Sequence, residues 1–237
     1  MVGGSTVLGA LLGLFFKRES KGFNDGAMSL AAGIMLAAAI IGLILPSLEY
    51  GGRLGFLISS VGIFIGALCV NLMDRLILHI YPGRLGDGEA SERTKGVLLF
   101  VTAIAIHNLP EGIAAGVGFG GGDVGDGFFI ATAIAMQNIP EGMTVLIAMI
   151  GIGVSVWRAF FIAAMTAVVE IIGTYIGYAA VSISVVILPF ILAFAGGNML
   201  YVIADEMIPS SHSKENHLPT YLMLLGFCFM LVLSAVL

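Results

Sequence analysis

From Ile171 to Ala204 the chain carries no charged side chain. A helix needs only roughly 20 apolar residues to cross a hydrocarbon core about 30 Å thick, so this run exceeds one ordinary span. Ser182, Ser184 and Pro189 lie within it and predict a turn, hence two spans. Comparable apolar stretches recur along the chain between glycine-rich or charged segments. Of 237 residues, 59% are apolar and 11% charged, with a mean hydropathy of +1.06, whereas soluble domains are about a quarter charged. Within lipid only helices and closed barrels satisfy every backbone polar group, and no alternating ten-residue pattern points to a barrel. The expectation is an all-α integral membrane protein, which excludes a soluble enzyme or a nucleic-acid-binding module.

Eight spans are predicted, at 2–16, 27–48, 54–73, 96–119, 127–150, 158–180, 185–207 and 219–237, forming one transmembrane domain over 1–237. With the N-terminus outside, nine Lys and Arg residues (Lys17, Arg18, Lys21, Arg75, Arg84, Arg93, Lys95, Arg158 and Lys214) face the cytoplasm, and Arg53 alone faces outward. That asymmetry predicts a multi-pass protein of the inner, cytoplasmic membrane with both termini outside. The glycine-rich connection 75–95, of mixed charge, is expected to be a mobile cytoplasmic loop. Cys69 and Cys228 lie in apolar runs and read as small core residues. Glu49 closes span 2 on the outside, and Asp123 and Asp126 sit in an outer turn; acidic groups there would concentrate cations.

An internal repeat organises the middle of the chain. Residues 101–112 read VTAIAIHNLPEG and residues 131–142 read ATAIAMQNIPEG, thirty residues apart. One helix plus a turn separates the copies, so they fall on consecutive antiparallel spans, an arrangement recurrent around midplane sites of transporters. Ionisable groups at membrane depth cost about 2.5–3.5 kcal/mol each. His107 and Glu111 are four residues apart, as are Gln137 and Glu141, so each pair shares one helical face. Pro110 and Pro140 each free a carbonyl, and Gly112 and Gly142 permit close backbone approach. One imidazole, one amide oxygen and two carboxylates carry a charge that balances a divalent cation. The donor set favours Zn, Fe or Mn over Mg or Ca, and the missing thiolates argue against Cu(I). Glu170 is isolated at depth in span 6; if it converges, Asn108 and Asn138 would complete a second, adjacent ion site.

HNLPEG at 107–112 and QNIPEG at 137–142 resemble the fourth- and fifth-helix signatures of the ZIP (zinc/iron-permease-like) metal transporters, above all their bacterial GufA-like branch. The resemblance implies that His107, Glu111, Gln137 and Glu141 bind the transported ion, with Asn108, Asn138 and Glu170 at a neighbouring site. It also implies a soft ligand at Met35, within a run similar to the family's second helix. Asn138 stands where some relatives carry an acid, and Ile171 where a proline often follows the glutamate. Similar acidic or histidine pairs at the end of the seventh helix make Asp205 and Glu206, with His212, exit candidates opposite Glu49 as an entrance candidate. The implied activity is inward transport of a divalent transition metal, zinc foremost, with Fe, Mn and Cd as alternatives. The metal is cargo, no cofactor is implied, and the resemblance suggests a homodimer. Two other readings are a metal-selective channel-like facilitator and an intramembrane metallohydrolase. The second lacks His-Glu-x-x-His and Gly-x-Ser-x-Gly motifs, so no enzymatic activity is expected.

Overall fold

The computed structural model describes residues 1–15, 21–80, 89–120, 124–183, 185–211 and 217–236. Among these residues there is no strand, and the helices join into eight rods. They are α1 (Val2–Gly13), α2 (21–50), α3 (Gly55–Ile80), α4 (Glu89–Gly120), α5 (Val124–Gly151), α6 (Val156–Ile183), α7 (188–211) and α8 (Leu218–Ser234). Five stretches are long and apolar enough to cross a membrane: Asp25–Tyr50, Gly52–Met73, Gly127–Gly151, Val156–Val181 and Leu188–Met207. α1 and α8 are shorter apolar helices. The turn expected near Ser182 and Pro189 falls between α6 and α7, and Pro189 occupies the first turn of α7, where its missing N–H costs nothing.

Two rods contain a π-helical turn. In α2 it spans Ala38–Ile44 and precedes Pro46; in α7 it spans Ile203–Met207 and precedes Pro209. A proline cannot donate to the carbonyl four residues back and its ring crowds that carbonyl, so the preceding turn widens.

The connection expected over 75–95 is shorter than the sequence indicated. α3 remains helical to Ile80 and α4 is helical from Glu89, leaving 81–88 outside the described residues. Hydropathy marks only the lipid-crossing part of a helix and is blind to polar turns continuing beyond it. The cysteines are likewise not core residues: Cys228 is exposed and Cys69 half-buried. In a membrane protein the outer, lipid-facing surface is as apolar as the interior, so an apolar run does not assign a side chain to either.

The rods fall into two groups. α4 packs closely on α6 and α1 on α5, while α3 packs on α7 and α2 on α8. Small residues let these backbones meet: a Cβ at Gly173 would strike the carbonyl of Leu109, one at Gly9 that of Ile139, one at Gly66 that of Phe194, and one at Gly33 that of Met223. α1 also packs on α6 and α4 on α5, which closes the first group; α2 packs on α7 and closes the second. Between the groups the main contacts are α2 with α5 and α4 with α7. Exchanging α1 with α6, α2 with α7, α3 with α8 and α4 with α5 maps these pairings onto one another, the signature of an inverted repeat. Aligning Pro46 with Pro209 also superposes Ala32-Gly33 on Ala195-Gly196 and Ile40 on Ile203.

Candidate metal centre

α4 and α5 continue through Pro110 and Pro140 as unbroken helices. The glycine after each glutamate fixes its helix to a different neighbour. A Cβ at Gly112 would strike the carbonyl oxygen of Glu170 on α6, and one at Gly142 that of Thr6 on α1. This close packing brings side chains from all four rods of the first group into one hydrogen-bonded chain. Gln137 Nε2 donates to Glu111 Oε1 at 2.6 Å and to Asn138 Oδ1 at 3.1 Å. Asn138 Nδ2 donates to Glu170 Oε1 at 2.6 Å, and Thr6 Oγ1 donates to Glu170 Oε2 at 3.4 Å.

His107, Asn108, Glu111, Gln137, Asn138 and Glu170 are all buried. Several of their atoms lack partners: Nε2 of His107, both amide atoms of Asn108, Oε2 of Glu111 and Oε1 of Glu141 are buried without a hydrogen bond. A buried polar atom left unpaired costs about 1–3 kcal/mol, and so many in one place point to a ligand. The carboxylate of Glu141 lies within electrostatic reach of those of Glu111, Glu170 and Glu206, and Glu111 within reach of Glu170. Carboxylates gathered away from water repel unless a counter-charge joins them. Imidazole, carboxylate and amide oxygen together suit a borderline divalent metal ion.

Among the described residues no three His, Cys, Asp or Glu side chains close on a single point. Two of the carboxylates are turned toward amide N–H groups instead. Binding an ion between them requires Gln137 and Asn138 to present oxygen where they now present nitrogen, a rotation of the amide about its last torsion.

The remaining sequence-predicted residues are distributed around this centre. Met35 is buried in the large apolar cluster to which all eight rods contribute. Glu49 is exposed at the end of α2, and Asp205 is exposed on α7. His212 and Asp123 lie outside the described residues. Glu206, an exit candidate in the sequence, reaches inward. Its Oε1 lies 3.3 Å from Nε2 of His107, with the two side chains 28% and 4% exposed. The π-helical turn before Pro209 carries it there, and the contact is electrostatic, without the alignment of a hydrogen bond. Two features escaped sequence reasoning. Thr6, on the short first rod, donates to Glu170, while Thr166, one turn before Glu170 on α6, donates to the carbonyl of Ala163. A polar chain also braces α7, with Asn71 Nδ2 donating to the Tyr201 hydroxyl at 2.7 Å and that hydroxyl donating to Asp205 Oδ2 at 3.3 Å.

Residues 86–234 match the model of a family described as "ZIP Zinc transporter". The chain is 36% identical to the zinc transporter GufA of Myxococcus xanthus, over 99% of this chain and 95% of that protein. It is 31% identical to the zinc transporter ZIP11 of Homo sapiens, over 98% and 93% of the two chains. It is also 31% identical to the zinc transporter ZupT of Shigella dysenteriae, over 97% and 91%. The chain belongs to the ZIP family. It is therefore an integral membrane protein of a transporter family, and its relatives are named as transporters, not as enzymes. The matched region of this ZIP protein takes in the helices bearing His107, Glu111, Gln137, Glu141, Glu170 and Glu206. Thr6, Met35, Glu49 and Asn71 lie outside it.

Proposed function

We propose that the chain carries divalent transition-metal ions, zinc foremost, across the cytoplasmic membrane into the cytoplasm. The observation that carries this reading is the gathering of Glu111, Glu141 and Glu170 with His107 and two amides inside an apolar helical bundle, where only a cation brings matching charge. His107, Glu111, Gln137 and Glu141 form the primary ion site. Asn108, Asn138 and Glu170 share its glutamates to hold a second ion, and Met35 offers a thioether from α2. All eight rods cross the bilayer with both termini outside, as the placement of Lys and Arg favours.

Movement of one group against the other supplies alternating access. The closest backbone contacts lie within each group, whereas at the α2–α5 contact the side chains of Ile130 and Phe129 lie against Gly42. Interfaces made of side chains can repack as groups shift, so α1, α4, α5 and α6 carry the ion past α2, α3, α7 and α8. Glu49 marks the entrance. Glu206, already facing His107, receives the ion on the way out, with Asp205 beyond it and His212 following in the chain. A homodimer is the assembly we expect. Zinc uptake into proteoliposomes tests the function: it should saturate with zinc concentration and be inhibited by Cd, Mn and Fe. Uptake that rises linearly without saturation supports the channel-like reading, and no zinc uptake at all defeats both.

A further inference from the structure

Outside the centre, Asn198 on α7 is 1% exposed, and both of its amide atoms lack a hydrogen-bond partner. Among the described residues, the other buried orphan atoms belong to the ion site, apart from the hydroxyl of Ser29. An amide is among the more expensive groups to strand in an apolar interior, and from Leu188 through Val202 the other residues of α7 are apolar or small apart from Tyr201, whose hydroxyl is hydrogen-bonded. Close packing of Gly66 of α3 against the backbone of Phe194 and Asn198 leaves the amide without a hydrogen bond. Asn198 lies one α-helical turn before Val202 and two turns before Glu206, the residue that reaches His107.

The inverted repeat adds an independent argument. The register that superposes Pro46 on Pro209 places Asn198 on Met35. Met35 is the buried residue of α2 proposed above to offer a thioether, and Asn198 is its counterpart on the rod that packs against α4. One rod thus offers a soft thioether and the other a hard amide oxygen.

We propose that Asn198 is a metal-binding residue of the ion path, supplying an amide oxygen from α7 to the transported divalent cation. The proposal rests on the reading that the buried carboxylate centre binds the ion. Its role is to favour cations that tolerate oxygen donors, zinc and manganese, over softer cadmium.

The test uses the full chain in proteoliposomes and in detergent, with Asn198→Ala, Asn198→Asp, Asn198→Met and a Glu111→Ala control. Asn198→Ala should raise the half-saturating zinc concentration about ten-fold, the scale on which metal sites respond to a lost supporting group. Without metal its melting temperature should equal or exceed the parent's, since an unpaired buried amide has been removed. Its zinc-induced rise in melting temperature should shrink. Asn198→Asp should restore zinc half-saturation, and Asn198→Met should raise the cadmium-to-manganese uptake ratio. Parent-like half-saturation and metal preference in Asn198→Ala would overturn the proposal. So would a lower metal-free melting temperature with unchanged half-saturation, which marks a structural amide. Should Asn198→Ala fail to fold, the Asn198→Met ratio decides alone, and an unchanged ratio rejects the proposal. If Glu111→Ala also transports like the parent, the ion-site reading falls with it; if Glu111→Ala is inactive, only the role of Asn198 is lost.

Discussion

In α2 the π-helical turn Ala38–Ile44 is apolar throughout, whereas in α7 the turn Ile203–Met207 carries Asp205 and Glu206. Both turns precede a proline, and both belong to rods that the inverted repeat makes equivalent. Leu43, the position of α2 that aligns with Glu206, is fully buried, and Gly42 beside it lies under Ile130 and Phe129. Glu206 instead touches His107 and keeps part of its side chain open, and Asp205 is held by Tyr201 and through it Asn71. The same backbone device is therefore apolar and closed in one rod and acidic and partly open in the other, which the proposed function reads as a seal and an ion path. A hydrated divalent ion cannot give up its water to an apolar turn, but carboxylates can replace that water. On the proposed transport reading, the difference between the turns would supply the direction of release, which the near-symmetric backbone does not.

That contrast can be broken from either side. Leu43→Glu puts an acid into the seal, and burying that charge costs about 2.5–3.5 kcal/mol; zinc uptake should fall about a hundred-fold while parent-like insertion persists in the membrane fraction. Glu206→Leu removes the acid from the open side. The maximal uptake rate should fall about ten-fold with half-saturation changed less than about two-fold, because the loss falls on release and leaves primary binding intact. Acidification acts on the whole carboxylate path, since a protonated carboxyl neither attracts nor ligates a cation. Initial uptake should therefore fall, by roughly five-fold, between pH 7 and pH 5. The smallest effect is expected from Tyr201→Phe, which cuts the chain from Asn71 to Asp205. The hydroxyl's two hydrogen bonds, each worth about 0.5–1.5 kcal/mol, are lost, yet both lie away from the buried carboxylates, and uptake should drop only about two- to three-fold.

The sequence disclosed the centre more fully than its surroundings. The repeated Asn-x-Pro-Glu-Gly placed Glu111 and Glu141 on adjacent helices, and helical periodicity put His107 and Gln137 on their faces. The structure joins Gln137 to Glu111 and Asn138 to Glu170 accordingly. Glu206 was legible as an acid near a helix end, yet its inward reach was not, because it depends on a π-helical turn whose only sequence trace is Pro209. Thr6 lay on a short glycine-rich helix, and nothing local links a threonine at one end of the chain to a glutamate far along it. The extra turns of α3 to Ile80 and of α4 from Glu89 escaped because polar helix beyond the lipid has no hydropathy signal. The exposed Cys228 escaped for the opposite reason, since lipid-facing and core-facing surfaces are equally apolar.

The central claim, that an ion is bound between the glutamates of α4 and α5, is tested most directly by zinc uptake in proteoliposomes with Glu111→Ala and Glu141→Ala beside the parent. Each substitution removes a carboxylate from the primary site, and uptake should fall by about a hundred-fold or more in both, with normal reconstitution. Parent-level uptake in both variants would contradict the account.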